Sequence, residues 1–282
     1  MIADQKDFIT PHITDAHTLD YPCLHSGFVC EYELPRWDPI HIGRFAIDIS
    51  PTRHVVMLWI AALLCVITTL LALRAHNRRT REGRAPAGLG NGLEALVLYL
   101  RNEVVLPNVG PHGNGFVPYL LTLFFFILFA NLLGLIPFGA TATGNISVTA
   151  TLAVITFFVI EIAGIKAQGR AYINTIVFWP HDMSLGMKLF ISPILTPIEI
   201  IGKLTKPFAL AIRLFANMVS GHVVLLALIS LIFTFASWFL VPIPIAMALG
   251  ISMLEIFVAF LQAFIFTLLS SVFIGLIREG AH

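Results

Sequence analysis

The sequence predicts an all-α polytopic membrane protein. It has five transmembrane helices and an amphipathic interfacial helix, and the last two spans are long, strongly inclined and folded as an antiparallel hairpin. Three observations predict this. Of 282 residues, 57% are hydrophobic and 12% charged, against about 25% charged in a soluble domain. Apolar runs that reach the ~20 residues needed to cross a bilayer core recur along the chain. The Lys and Arg residues gather on one set of connections and avoid the other, as the positive-inside rule expects.

Residues 1–53 form an acidic, polar extramembrane tail with eight Asp/Glu against four Lys/Arg. No apolar core follows Met1, so the tail reads as retained rather than as a cleaved signal. Cys23 and Cys30 either pair, if the tail faces an oxidising compartment, or remain two free thiols. Cys65 lies within a span and reads as packing. Residues 54–282 form the membrane domain. Its first span, Val55 to Leu73, ends in Arg74, Arg78, Arg79, Arg81 and Arg84. That cluster marks the cytoplasmic side and places the N-terminus outside.

In Gly92 to Val105, Leu93, Leu96, Val97, Leu100 and Val104 repeat at helical spacing, with Glu94, Arg101 and Asn102 elsewhere on the wheel. This predicts an amphipathic helix, lying at the inner interface or packed on a partner helix. Pro107 to Gly115 reads as loop. Val117 to Phe138 is the second span, Gly139 to Asn145 an uncharged outer loop, and Val148 to Ile165 the third span, returning to Lys166 and Arg170. Glu161, near the inner end of that span, reads as a snorkelling or paired carboxylate. Trp179 to Lys188 continues on the inner side.

Two apolar runs remain, Pro207–Leu240 and Ile245–Ile277, divided by Val-Pro-Ile-Pro at 241–244. Each would make a helix about 50 Å long, against a hydrocarbon core of ~30 Å. Either these helices break or they lie steeply tilted. Of thirteen Lys/Arg beyond Arg53, twelve fall in or beside inner segments, and the outer connections have none. The C-terminus is therefore cytoplasmic. The thirteenth is Arg213, inside a span, where a cation costs roughly 2.5–3.5 kcal/mol on insertion scales.

Arg213, Asn217 and Ser220 stand at i, i+4 and i+7 on one helix face, and Glu255 and Gln262 are seven apart on the next helix. An antiparallel hairpin with constant position sums near 475–477 brings Arg213 near Gln262 and His222 near Glu255. An inert buried network is one reading, since polar groups in lipid must find partners anyway. A proton relay is the other. His and Glu exchange protons near neutrality when burial and pairing bring their pKa values together. Arg keeps its proton and suits a gate that waits for a carboxylate. No well-placed acidic partner for Arg213 exists in this chain, which points to another subunit.

The stretch Arg-Leu-Phe-Ala-Asn-Met-Val-Ser-Gly-His (213–222) follows Glu199 and Lys206-Pro207. With Leu-Gln-Ala-Phe-Ile-Phe (261–266), Asn131-Leu-Leu-Gly134 and Asn145-Ile-Ser-Val-Thr149, it resembles subunit a of the F-type ATP synthase membrane sector over roughly 54–282. The resemblance implies an ion-conducting stator beside a ring of c subunits, held with subunit b and other stator subunits in a bacterial inner membrane. Two offset half-channels would carry H⁺ to and from the ring carboxylate, with Arg213 preventing a direct leak. Asn217, Ser220, His222, Glu255 and Gln262 would line or support the outer half-channel, with Asn145 in its outer loop. Glu199 would lie toward the inner one. His222 and Glu255 stand exchanged relative to many bacterial relatives, so the pair survives. Asn145 stands where some relatives have Asp, so this loop hydrogen-bonds without titrating.

Other functions fit less well. A secondary transporter would show inverted repeats, and none relates the two halves. An intramembrane enzyme would need a nucleophile–base pair or metal set, and neither is legible. Gly-Leu-Gly-Asn-Gly (88–92) lacks the Lys-Ser/Thr of a phosphate loop and reads as a helix entry. No cofactor or metal is expected, and the chain is expected to act within a complex rather than as an enzyme on its own.

Overall fold

The computed structural model describes residues 16–22, 29–42, 45–48, 50–81, 89–110, 113–136, 141–172, 185–235 and 242–279. Four short strands precede the helices: β1 (Thr18–Pro22), β2 (Val29–Glu33), β3 (Ile40–Ile42) and β4 (Phe45–Ile47). The helices are α1 (Arg53–Arg81), α2 (Leu89–Tyr99), α3 (Leu106–Val109), α4 (Val117–Gly134), α5 (Ile146–Gln168), α6 (Leu185–Phe235) and α7 (Pro242–Glu279). Among the described residues five segments are long and apolar enough to cross a membrane: Arg53–Leu71, Gly113–Gly134, Ile146–Gln168, Phe190–Leu228 and Pro242–Arg278. The expected count of five stands. Large apolar side chains such as Trp59, Leu63, Val66 and Leu70 of α1 are exposed on the chain, which suits lipid or a partner.

The last two spans do not break. At ~1.5 Å per residue, α6 with 51 residues extends about 77 Å and α7 with 38 about 57 Å. The expected start of the fourth span at Pro207 is too late. α6 begins at Leu185 and carries Pro193, Pro197 and Pro207 inside it. Each proline removes one amide from the helical ladder, yet membrane helices accommodate this because local adjustments satisfy the freed carbonyls. α7 opens on Pro242, where the missing N–H would have had no intrahelical partner in any case. Trp179–Ser184 and Cys23 lie outside the described residues, so the inner-side continuation before Leu185 and the Cys23–Cys30 pairing do too.

The contacts group into two compact units. The first comprises Met1–Leu70, Phe125–Val148 and Leu214–Gln262. Its acidic tail, expected to be only polar, contains two hairpins: β1 pairs antiparallel with β2, Thr18 opposite Glu33, and β3 with β4, Ile40 opposite Ile47. The residues before β1 are tied to the start of α1 by the amide of Arg53 donating to the Ala16 carbonyl at 2.9 Å. Ahead of α1 the Ser50 amide donates to Asp48 Oδ1 at 2.8 Å. The Ser50 hydroxyl and amide hold the exposed Asp48 carboxyl below the usual carboxylate range.

The second unit comprises Leu71–Phe124, Thr149–Arg213 and Ala263–His282. Here α2 runs on through a π-helical segment, Leu100–Val105, into α3. Leu100, Val104 and Val105 are buried, which continues the predicted apolar stripe. α3, just beyond the predicted amphipathic helix, lies against α7. A Cβ at Gly275 of α7 would collide with the Asn108 carbonyl, and the Arg278 guanidinium donates to the Val109 carbonyl at 2.8 Å. On α5, Gly164 leaves room for the buried Tyr172 ring, 2.6 Å from where a Cβ would stand. The Lys203 ammonium lies 4.6 Å from that ring's centre and donates to its hydroxyl at 3.3 Å. It stands 4.0 Å from Glu161. Glu161 is therefore paired, although its side chain is only 17% exposed.

Candidate functional site

The first unit gathers polar side chains that the sequence scatters over more than a hundred residues. Asn217, part-buried on α6, donates its amide to Gln262 Oε1 on α7 at 2.9 Å. Gln262 is 2% exposed, so this bond satisfies one end of an amide that lipid would leave stranded. The constant-sum register sets Gln262 opposite Arg213. The hydrogen bond observed joins it to Asn217, one helical turn further along α6. Ser220, exposed, returns its hydroxyl to the Asn217 carbonyl at 3.1 Å.

Glu255 lies against the backbone of α6 at Gly221. A Cβ there would overlap Glu255 Oε1, and would come within 3.1 Å of its Cδ and 3.3 Å of its Cγ. Glycine at 221 is what lets the carboxyl approach. Glu255 Oε2 is buried and has no hydrogen-bond partner among the described residues. The backbone of His222 belongs to α6, and its side chain lies outside the described residues.

These groups border a cavity of about 300 Å³. Asn217, Ser220 and Gly221 come from α6, Glu255 and Val258 from α7, and Asn131 from α4. A space of that size with several polar walls admits on the order of ten waters, at ~30 Å³ each. A carboxyl with one unpartnered oxygen on such a cavity can take a proton from water and return it.

Asn145 ends the short 3₁₀ turn Ala142–Gly144 and starts α5. Its Oδ1 accepts from the Ser147 amide at 2.9 Å, and its Nδ2 stands 3.5 Å from His54 Nδ1. It joins the start of α1 to the start of α5 and does not line the cavity. Arg213, four residues before Asn217 on α6, and Glu199 are both exposed on the chain surface. Among the described residues no hydrogen bond or ion pair engages the Arg213 guanidinium.

Sequence reasoning passed over two members of this arrangement: Gly221 and Asn131. The signal for Asn131 was present, since it is the one polar side chain between Leu123 and Gly134, and an amide in an apolar span needs a use. Gly221 carries no such signal, because its role is the space it leaves.

Residues 55–275 match the family described as ATP synthase A chain. Curated relatives agree. ATP synthase subunit a of Chloroherpeton thalassium is 46% identical over 265 residues, covering 94% of this chain and 74% of that protein. ATP synthase subunit a 2 of Chlorobaculum tepidum is 46% identical over 278 residues, covering 97% and 74%. ATP synthase subunit a of Anaeromyxobacter dehalogenans is 43% identical over 280 residues, covering 95% and 70%.

Proposed function

Since the chain belongs to the ATP synthase A chain family, we propose that it is the ion-conducting stator subunit of a rotary ATP synthase, coupling proton flow to rotation of a c-ring. It is a multi-pass membrane component of that complex rather than a catalytic subunit by itself. Subunit b and other stator subunits would hold it in a bacterial inner membrane, with the N-terminus outside and the C-terminus cytoplasmic.

The observation that carries the reading is the cavity that Glu255, Asn217 and Ser220 border among apolar walls. It supports an outer half-channel: water brings a proton to Glu255, and His222, one residue from Gly221, shares the relay. The Asn217–Gln262 bond fixes the facing helices at the channel's inner end. Asn145 would support the outer loop, and Glu199 would stand toward the inner half-channel. Arg213 is the gate. Its cationic guanidinium repels a proton that would pass straight through and attracts an ionised ring carboxylate. Its exposure on the chain fits a partner supplied by the ring.

The test is Arg213→Ala in the assembled enzyme, in membrane vesicles. ATP synthesis and ATP-driven acidification should vanish while the soluble sector still hydrolyses ATP. Retained synthesis would overturn the proposal.

A further inference from the structure

Asn131 sits on α4 with none of its surface exposed, and Thr143 in the outer turn is equally buried. The Thr143 hydroxyl donates to Asn131 Oδ1 at 2.7 Å. Asn131 Nδ2 donates to the Ala259 carbonyl at 3.3 Å. One amide therefore ties together α4, the turn Ala142–Gly144 and α7. Ala259 follows Glu255 by four residues and precedes Gln262 by three, so the tie grips α7 between its two polar residues.

The next turn of α4 repeats the arrangement. At Gly134 a Cβ would stand 2.5 Å from Thr141 Oγ1, so the outer turn lies against the Asn131–Gly134 face. On its other side, a Cβ at Gly144 would meet Val219 of α6 at 3.8 Å. Asn131, Gly134 and Thr141 are walls of the same cavity that Glu255 borders. An apolar pair of equal volume would fill this space without desolvating an amide and a hydroxyl. What hydrogen bonds add is direction: they select one carbonyl of α7 and one setting of the turn.

We infer that Asn131 and Thr143 are positioning residues for proton transfer at Glu255, clamping the outer turn and α7 so that the cavity stays open to water. The inference rests on the cavity being the outer half-channel. Removing the Thr143 hydroxyl leaves Asn131 Oδ1 buried without its donor, and the clamp loosens.

The experiment uses the complete ATP synthase in membranes, in a background without native cysteines, with Val258→Cys reporting water access to the cavity. Proton conduction through the membrane sector is measured together with labelling by an impermeant thiol reagent applied from the outer side. Thr143→Val should lower conduction about tenfold and slow labelling, with the amount of assembled complex unchanged. Thr143→Ser, which keeps the donor, should match the parent in both. Thr143→Ala serves the same purpose as valine if the branched side chain prevents assembly. Conduction and labelling at parental levels in the valine and alanine variants would overturn the clamp. Conduction lowered equally in the serine variant would overturn it as well, since the donor would then be irrelevant. Normal conduction with no labelling of the parent reporter would overturn the half-channel reading itself, and the clamp with it.

Discussion

Gly221→Ala isolates the approach of Glu255 to α6. The new Cβ would overlap Oε1 and come within 3.1 Å of Cδ, whereas carbon atoms sit comfortably at about 3.5–4.0 Å. The carboxyl must therefore retreat by roughly 1 Å. A displacement of that size at a reacting group costs on the order of 10²-fold in rate. The substitution otherwise favours the helix, since Ala exceeds Gly by about 0.5–1 kcal/mol in a helix interior, so loss of assembly is not the expected cause. The assay is ATP-driven proton pumping by vesicles, normalised to assembled complex. Gly250→Ala on α7 is the control, because nothing lies within 4 Å of its added Cβ. We expect pumping to fall 10- to 100-fold for Gly221→Ala, by the same displacement argument, and to stay at the parental level for Gly250→Ala. Adding Glu255→Asp, one methylene shorter, should recover part of the loss. Parental pumping by Gly221→Ala, or no recovery in the double variant, would refute the argument from contact.

Three further outcomes follow from the geometry of neighbouring contacts. Gly275→Ala drives a methyl into the backbone carbonyl of Asn108, which has no rotamer to escape into. The amount of assembled complex should drop, by immunoblot of membranes, with conduction per complex little changed. Exchanging His222 and Glu255 should retain measurable ATP synthesis, while Glu255→Gln alone should lose most of it, since the amide cannot release a proton. Lys203→Met removes the cation that faces Glu161 and Tyr172 and leaves a mostly buried carboxyl unpaired. Thermal stability of the purified complex should fall, by about 3–5 kcal/mol at most, and Glu161→Gln in the same chain should restore part of it.

Much of this architecture is legible in residues because lipid imposes few rules and strict ones. Apolar length yields the spans, and the over-long runs at the C-terminus yield two unbroken helices. Apolar length alone misplaces one boundary. Glu199, Lys203 and Lys206 interrupt the apolar residues before Pro207, so the apolar run opens there, whereas α6 begins at Leu185. The tail hairpins were hidden for another reason. Strands of five and three residues, such as Val29–Glu33 and Ile40–Ile42, leave too short an alternation to stand out from an acidic composition. At the site, charge and polarity flagged Arg213, Asn217, Glu255 and Gln262. Periodicity has no vocabulary for the partner of an amide, and so the link from Asn131 to Thr143 and Ala259 needed coordinates. The same holds for Gly221, whose contribution is an absent side chain.

The C-terminal end of α7 has a mechanical meaning. Gly275 lets the helix lie directly on the Asn108 backbone. Arg278 bonds the Val109 carbonyl and covers the Phe116 ring, 5.6 Å from its centre, and Gln168 of α5 donates to the Ile277 carbonyl. The C-terminal end of α7 is thereby held by three independent fastenings within the four residues Gly275 to Arg278. This end of the helix cannot slide along its neighbours without first breaking two hydrogen bonds to backbone carbonyls.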